Sequence, residues 1–415
     1  MPEKSLAAYE PVVGPEAISQ LRQLGDQLKG ARVVHVNSTR VGGGVAEILN
    51  WLTPLMNDLG LDTSWETVTG NEAFFNATKA FHNGLQGSRF PLTDTMIEAY
   101  EQTVAENAER LRGILEEADF VFIHDPQPAY LLELCPNRKG HWIWRCHIDA
   151  SHPNRLVWNY LKRRVAGYDA SIFSMPNFAQ SLPHPQFIIA PSIDPLSDKN
   201  RELPAEEIDD TMRRYHIGRD LPIVTQISRF DRFKDPIGVI NAFNLLNGSV
   251  DARLVLAGGG ATDDPEGEAV FEEVLLAARG NDRIIAMQLP NDAHRTINSL
   301  QRASAIVIQK SIQEGFGLTV TEAMWKSKPV IGGNVGGIRL QVHNHHTGYL
   351  VDTPEGAALR IRELLEQPEH LAKIGRRARK FVKHNFLLTR HLREYLTLML
   401  SLRRGLENHL IRVSP

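Results

Sequence analysis

The chain reads as an α/β protein of two doubly wound domains, and three observations point there. Its 415 residues are too many for one compact core but suit two domains that each bury a parallel sheet between helices. Short β-branched runs alternate with amphipathic helical stretches in both halves of the chain. Between the halves, Pro191 to Pro204 (PSIDPLSDKNRELP) concentrates Pro, Ser and charged residues, the composition of a domain linker. Two domains imply a cleft.

Ala31 to Ser38 (ARVVHVNS) is the first strand, and Thr39 to Gly44 (TRVGGG) leads from its polar end into a helix. There Val45, Ile48, Leu49, Leu52, Leu55 and Met56 recur at spacings of three and four and form one apolar face, while Pro54 is expected to end or kink the helix. Further strands are predicted at Phe120 to His124, Trp142 to Cys146, Ala170 to Ser174 and Phe187 to Ala190. The second series begins with Ile223 to Ile227 and continues with Arg253 to Ala257, Arg283 to Met287, Ala305 to Gln309 and Pro329 to Gly332. The C-terminal stretch, rich in Leu, Arg, Lys and His, reads as consecutive helices. The expected domains are therefore 1–195 and 196–385, with helices over 386–415 free to pack back on the first domain.

Composition narrows the function classes. Hydrophobic residues at 42% and charged residues at 23% describe a folded globular body. A net charge of -3 without any long Lys or Arg block lacks the electrostatic footprint of a nucleic-acid binder. Cys135 and Cys146 are the only cysteines, which fits a reducing, cytoplasmic setting without a disulfide framework. The N-terminal stretch has no apolar signal core, and no segment reaches the roughly twenty apolar residues that span a bilayer.

Glu314 to Glu322 (EGFGLTVTE) carries the densest chemistry. Gly315 and Gly317 flank a turn where backbone can approach a ligand, and a helix starting near Thr319 would offer free N–H groups to a phosphate. The competing explanation is a Thr319–Glu322 capping box, which leaves Glu314 unexplained. Ser228 to Lys234 (SRFDRFK) follows a strand and holds Arg229, Arg232 and Lys234; an exposed basic loop is the alternative. Gly42, Gly43 and Gly44 lack both the G-x-G-x-x-G spacing and the Gly-Lys-Ser/Thr ending of a phosphate loop, yet permit close backbone approach; a plain tight turn is the alternative. Asp125 (HDPQP) and His147 (RCHID) follow strand ends, where open α/β sheets bind ligands, and Asp149 is close by. His343, His345 and His346 read as a solvated turn rather than metal ligands, for want of a carboxylate or cysteine partner. Asp263 and Asp264 have no assigned role, and Cys146 and His147, as sequence neighbours on a strand, point to opposite faces.

Glu314 to Glu322, with the following AMWKSKPVIG and the later HHTGYLV of His345 to Val351, resembles the Glu-x7-Glu signature of the retaining GT-B glycosyltransferases related to sucrose, glycogen and trehalose synthases. SRFDRFK resembles that family's Arg and Lys pair, and Asp125 and His147 resemble the Asp and His of its trehalose-phosphate and glycogen synthases. STRVGGGVAEIL, HDPQPAYLLE and RCHIDASHPN are most similar to trehalose glycosyltransferring synthases and to the related fungal-type trehalose phosphorylases. The resemblance implies a GT-B fold: two Rossmann-like doubly wound domains facing a central cleft, the first for the acceptor and the second for a nucleotide-sugar donor.

It also implies roles. Arg229, Lys234, Glu314, His147 and Asp125 would be catalytic; Gly42, Gly43, Gly44, Arg229, Lys234, Glu314, Gly315, Phe316, Gly317, Leu318, Thr319 and Glu322 would hold the donor; Asp125, His147 and Asp149 would hold the acceptor. The implied reaction moves glucose from a nucleoside-diphosphate glucose to glucose, reversibly and with retention, giving α,α-trehalose. The alternatives are a trehalose phosphorylase, another retaining hexosyltransferase such as a sucrose or trehalose-phosphate synthase, or a catalytically silent sugar-binding protein. No cofactor and no essential divalent metal are expected. The implied partners are NDP-glucose, glucose and trehalose, with a homodimer left open and neither nucleic acid nor membrane. Because HDPQPAY has no cation, and HIDASHPN only has Arg145 and Arg155 at its borders, free glucose is expected over glucose 6-phosphate.

Overall fold

The computed structural model describes residues 5–41, 43–246, 248–259 and 265–405. The chain forms two compact units, one running to Ser192 and resuming at Leu388, the other spanning Ile193–Leu387. In the first, β1 (Arg32–Asn37), β2 (Asp62–Thr67), β3 (Phe120–His124), β4 (His141–Cys146), β5 (Ala170–Phe173) and β6 (Gln186–Ile188) pair in the order β2-β1-β3-β4-β5-β6, parallel throughout. In the second, β7 (Ile223–Ile227), β8 (Arg253–Gly259), β9 (Ile284–Leu289), β10 (Ile306–Gln309), β11 (Val330–Gly333) and β12 (Gly348–Val351) pair in the order β12-β11-β10-β7-β8-β9, again parallel.

Helices bury both faces of these sheets, which is why the central strands β3, β7 and β10 are buried along their whole length. Val224, Leu254 and Leu256 join one core of the second unit, while their neighbours Ile223, Val255 and Ala257 join the core on the opposite face. The order of each sheet reverses beside its first strand, β1 or β7, so that loops leaving adjacent strands diverge there. Ligands of open α/β sheets bind at such switch points.

Four features refine the sequence expectation or differ from it. The helix Gly43–Asp58 continues past Pro54 instead of ending there, because Leu55 and Met56 are fully buried and hold its last turn on the core despite the missing hydrogen bond. β2 was not anticipated: as an edge strand of sequence DTSWET, it buries only Thr63. Pro191 to Pro204 contains the division between the units, at Ser192–Ile193, and is packed rather than loose: Pro191–Pro195 is buried, the Ile193 amide donates to the Phe386 carbonyl (2.9 Å), and Asn298 Nδ2 donates to the carbonyls of Asp198 and Arg201 (2.9 Å each). The last helix, Leu388–Arg403, packs back on the first unit, the arrangement the sequence left open, with Leu392, Leu396, Leu398 and Met399 fully buried there and Arg390 Nη2 donating to the carbonyls of Ala190 (2.9 Å) and Pro191 (3.0 Å).

Candidate active site

In the second unit, the loops leaving β7 and β10 bring the sequence-predicted residues together. Lys234 closes a single 3-10 turn, Arg232–Lys234, which the Asp231 side chain caps by accepting from the Phe233 amide (2.8 Å). Gln226 Nε2 donates to the Lys234 carbonyl (2.8 Å), and the Ile312 amide to the Phe233 carbonyl (2.9 Å), which ties the two loops to each other. Lys234 Nζ then donates to Glu314 Oε2 at 2.6 Å, with the two side chains 18% and 10% exposed. Ser311 Oγ also donates to Glu314 Oε2 (3.3 Å), so this carboxylate is aimed by two donors. Arg229 stays 66% exposed, with Asp231 at 3.6 Å. Arg232, the third cation, turns away to a bidentate pair with Glu273 (2.6 and 3.2 Å).

The helix after Glu314 spans Leu318–Trp325, one residue earlier than expected, with Gly317 as its N-cap at φ +83. Among the described residues no side chain caps it, so Thr319 and Glu322 do not form a capping box and the N–H groups of Leu318 and Thr319 meet no side-chain acceptor there. Glu322 points instead into the unit: it is 2% exposed, Oε1 is 3.9 Å from Lys199 Nζ, and Oε2 is buried without a hydrogen-bond partner among the described residues. The Phe316 ring packs on Phe386 at 5.5 Å between centroids and is buried, which leaves its backbone as the part that can meet a donor.

Several residues that build this half of the site carried no sequence signal. Gln341, fully buried, donates through Nε2 to the carbonyls of Phe316 (2.6 Å), Gly317 (3.4 Å) and Gly337 (3.3 Å), which clamps the Glu314 loop. Gly336, at φ +43, lies so close that a Cβ there would stand 1.7 Å from the Glu314 carbonyl oxygen. Lys326 is buried beneath the helix and donates to Gln301 Oε1 (2.8 Å), Asn200 Oδ1 (3.0 Å) and the Glu322 carbonyl (3.2 Å); burial pushes its ammonium down to about 7.

In the first unit, the loops leaving β1, β3 and β4 carry the remaining candidates. Gly42 lies outside the described residues; Gly43 has φ +79 and opens the helix Gly43–Asp58 together with Gly44. Asp125 has φ +63, an uncommon conformation for a non-glycine residue, and its carboxylate accepts from the His147 amide at 2.7 Å. Burial pushes the Asp125 carboxyl up to about 7, against the opposing pull of that amide and of Arg145. Burial first, then the Arg145 and His391 charges, hold His147 well below the usual histidine range. Asp149 is engaged locally, since one carboxylate oxygen accepts from the Ser151 amide (3.0 Å) and hydroxyl (2.6 Å).

Arg145 is fully buried and donates to Ser174 Oγ (3.3 Å), whereas Arg155 is exposed at the start of the helix Arg155–Val165. Cys146 Sγ lies 3.7 Å from the Ile148 carbonyl, and burial raises its pKa far above the thiol range, so it is no nucleophile for His147. Among the described residues, no three His, Cys, Asp or Glu side chains group as metal ligands, and Asp263 and Asp264 lie outside those residues. Among them, too, no helix is long and apolar enough to cross a membrane.

Residues 35–180 match the model of the trehalose synthase N-terminal domain, and residues 207–381 that of the group 1 glycosyl transferases. A trehalose synthase of Thermococcus litoralis is 43% identical over 401 residues, covering 95% of this chain and 97% of that protein. A trehalose phosphorylase of Pleurotus pulmonarius is more distant, 27% identical, with 85% of this chain and 55% of that protein covered. Among solved structures, a UDP-forming α,α-trehalose-phosphate synthase from Burkholderia xenovorans superposes with a TM-score of 0.71 at 14% identity, covering 90% of this chain and 99% of that one. Both sheets and their orders thus form the α/β framework of GT-B glycosyltransferases, and the chain belongs to the trehalose synthase family of the group 1 glycosyltransferases.

Proposed function

We propose that this glycosyltransferase moves glucose from a nucleoside-diphosphate α-glucose to free glucose, reversibly and with retention, forming α,α-trehalose. The observation that carries the donor reading is the Lys234–Glu314 pair beside an uncapped helix start, at the point where the order of the second sheet reverses. A diphosphate placed there meets the free N–H groups of the first turn and the charges of Lys234 and Arg229, while Glu314 accepts from the hydroxyls of the transferred sugar. Lys234 and Glu314 therefore exchange their mutual ion pair for donor contacts. Glu322, with one buried carboxylate oxygen free, supports a nucleotide ribose over inorganic phosphate as the carrier's outer part.

Retention follows a front-face course in this reading. The leaving phosphate oxygen takes the proton of the acceptor hydroxyl as the bond to C1 breaks, and Lys234, Arg229 and the helix start stabilise the departing charge. Asp125 and His147 orient the sugars. No pair of carboxylates acts as nucleophile and acid, unlike the retaining glycosidases.

Free glucose is the favoured acceptor because a sugar phosphate would bring about two negative charges that need cations. Arg145, at the border of the acceptor segment, is spent inside the unit. The assay is a comparison of kcat/KM for glucose and glucose 6-phosphate with ADP-, UDP- and GDP-glucose, repeated with glucose 1-phosphate as donor. Trehalose formed from NDP-glucose and free glucose is the expected result. A clear preference for glucose 6-phosphate overturns the acceptor assignment, and turnover with glucose 1-phosphate alone overturns the nucleotide one.

Lys234, Arg229 and the helix start supply the positive charge that other transferases take from a divalent ion, so we propose that no metal is required. Activity is expected to survive prolonged EDTA treatment. Loss of turnover that Mg2+ or Mn2+ restores would assign a metal role to residues such as Asp263 and Asp264.

A further inference from the structure

Three histidines of the first unit form a continuous hydrogen-bonded chain that ends at His147. His35 stands on β1 in register with Phe122 of β3, and His124, two residues further on, shares its face; His124 in turn is in register with Arg145 of β4, two residues before His147. The rings thus climb the sheet towards its C-terminal edge. His35 Nδ1 lies 3.0 Å from His124 Nε2, and His124 Nδ1 lies 3.0 Å from His147 Nε2. His35 is fully buried and His124 is 2% exposed, whereas His147 is partly exposed. At the inner end, His35 Nε2 is buried and has no hydrogen-bond partner among the described residues.

All three rings are neutral near pH 7. Burial takes His35 down to about 3 and holds His124 well below the histidine range, with the neighbouring His147, His35 and Arg145 charges acting in the same direction; His147 is lowered as described above. A neutral imidazole carries a single N–H. Two consecutive His–His hydrogen bonds then admit only two arrangements, one with every proton on Nδ1 and one with every proton on Nε2; any mixture breaks a bond. In the Nε2 arrangement, His35 would bury an N–H donor without an acceptor. In the Nδ1 arrangement it leaves only a lone pair unmatched, which is the less costly and commoner situation. Exchange between the two needs a proton delivered to His35 Nε2 while another leaves His147 Nδ1, and the inner end is closed to solvent.

We infer that His35 and His124 are positioning residues that lock His147 in its Nδ1–H tautomer, so that His147 presents a hydrogen-bond donor, and not a base, to a sugar hydroxyl. This rests on the reading above that His147 meets a sugar. It also fits the proposed chemistry, in which the acceptor proton leaves to the phosphate and a basic imbidazole is not needed.

The test is two-bond 15N–1H correlation NMR on protein carrying 15N-histidine, with signals assigned from the His35→Phe, His124→Leu and His147→Gln variants. Free of substrate and between pH 6 and 8, wild-type His35, His124 and His147 should all show protonated Nδ1 and bare Nε2. His124→Leu should release His147 into a mixture of tautomers and lower kcat with little change in the donor KM, and His124→Asn, whose amide can again donate to His147 Nε2, should restore part of kcat. A wild-type His147 protonated on Nε2, or on both nitrogens, overturns the lock without reference to any variant. A locked Nδ1–H signal together with full trehalose formation by His147→Gln supports the lock and overturns the sugar-binding role of His147, so the two failures are separable.

Discussion

Lys234→Met should lower kcat by about 100- to 1000-fold at saturating donor, the cost of removing one preorganised charge donor from a developing anion. Two effects add here. The phosphate loses its nearest buried cation, and Glu314, 10% exposed and 2.6 Å from the lysine, keeps its charge without a counter-ion. Glu314→Gln alone should also be severe, because the neutral amide weakens the grip on the sugar hydroxyls and leaves Lys234 unpaired. The double variant should lose less than the sum of the two, with a coupling of about 1 to 3 kcal/mol. Full additivity in steady-state kcat would mean that the pair has no joint role, and near-normal turnover of Lys234→Met would remove it from the mechanism. Arg229→Ala should be milder in the unliganded protein's stability and appear mainly in turnover, since Arg229 is 66% exposed and its ion-pair partner Asp231 is 3.6 Å away.

Gly336→Ala should destabilise the second unit by about 3 kcal/mol or more and abolish activity. The added methyl would sit 1.7 Å from the Glu314 carbonyl oxygen, on a backbone with φ +43 that L-residues rarely adopt. Backbone cannot swing aside as a flexible side chain can, and the Glu314 segment is already held from below by Gln341. In a unit of this size such a loss corresponds to a melting transition lowered by roughly 6 to 12 °C. Gly280→Ala is the control: it has φ +82 but nothing within 4 Å of the added methyl, so only the left-handed penalty of about 1 to 2 kcal/mol applies. Equal melting temperatures for the two variants would show that the contact with Glu314 is not tight.

The legible part of this site is the part written in adjacent residues. Glu314, Gly315, Gly317 and Glu322 follow one another along the chain, and Arg229 and Lys234 lie on one short loop, so a family resemblance carried by contiguous motifs could single them out. Gln341, Lys326 and Ser311 act on that segment through space, and a single glutamine or lysine on a helix or loop gives no local sign of where its side chain will end. His35 and His124 were hidden differently, inside RVVHVN and FVFIH, where an apolar strand pattern reads as core and says nothing of which ring nitrogens meet. The capping box was a false alternative because a one-residue shift of the helix start, to Leu318, makes Gly317 the cap and frees Glu322. Pro54 does not end its helix, as burial of the residues behind it outweighs the local cost.

The return of the last helix to the first unit sets an order on biosynthesis. Ile193–Leu387 is contiguous, so that unit has all its strands as soon as Leu387 clears the ribosome. The first unit, although its six strands are synthesised first, must wait for Leu388–Arg403 before His35, Phe122 and Ser192 find these partners: Tyr395 stacks on His35 and Phe122 at 6.2 and 4.9 Å between centroids, and His391 Nδ1 is 2.8 Å from Ser192 Oγ. During translation an incomplete N-terminal half, with His35 and Phe122 still lacking the Tyr395 ring, therefore coexists with a C-terminal half that has all its strands. The nascent chain spends its longest exposed interval at its beginning rather than at its end, and chaperone demand should concentrate there.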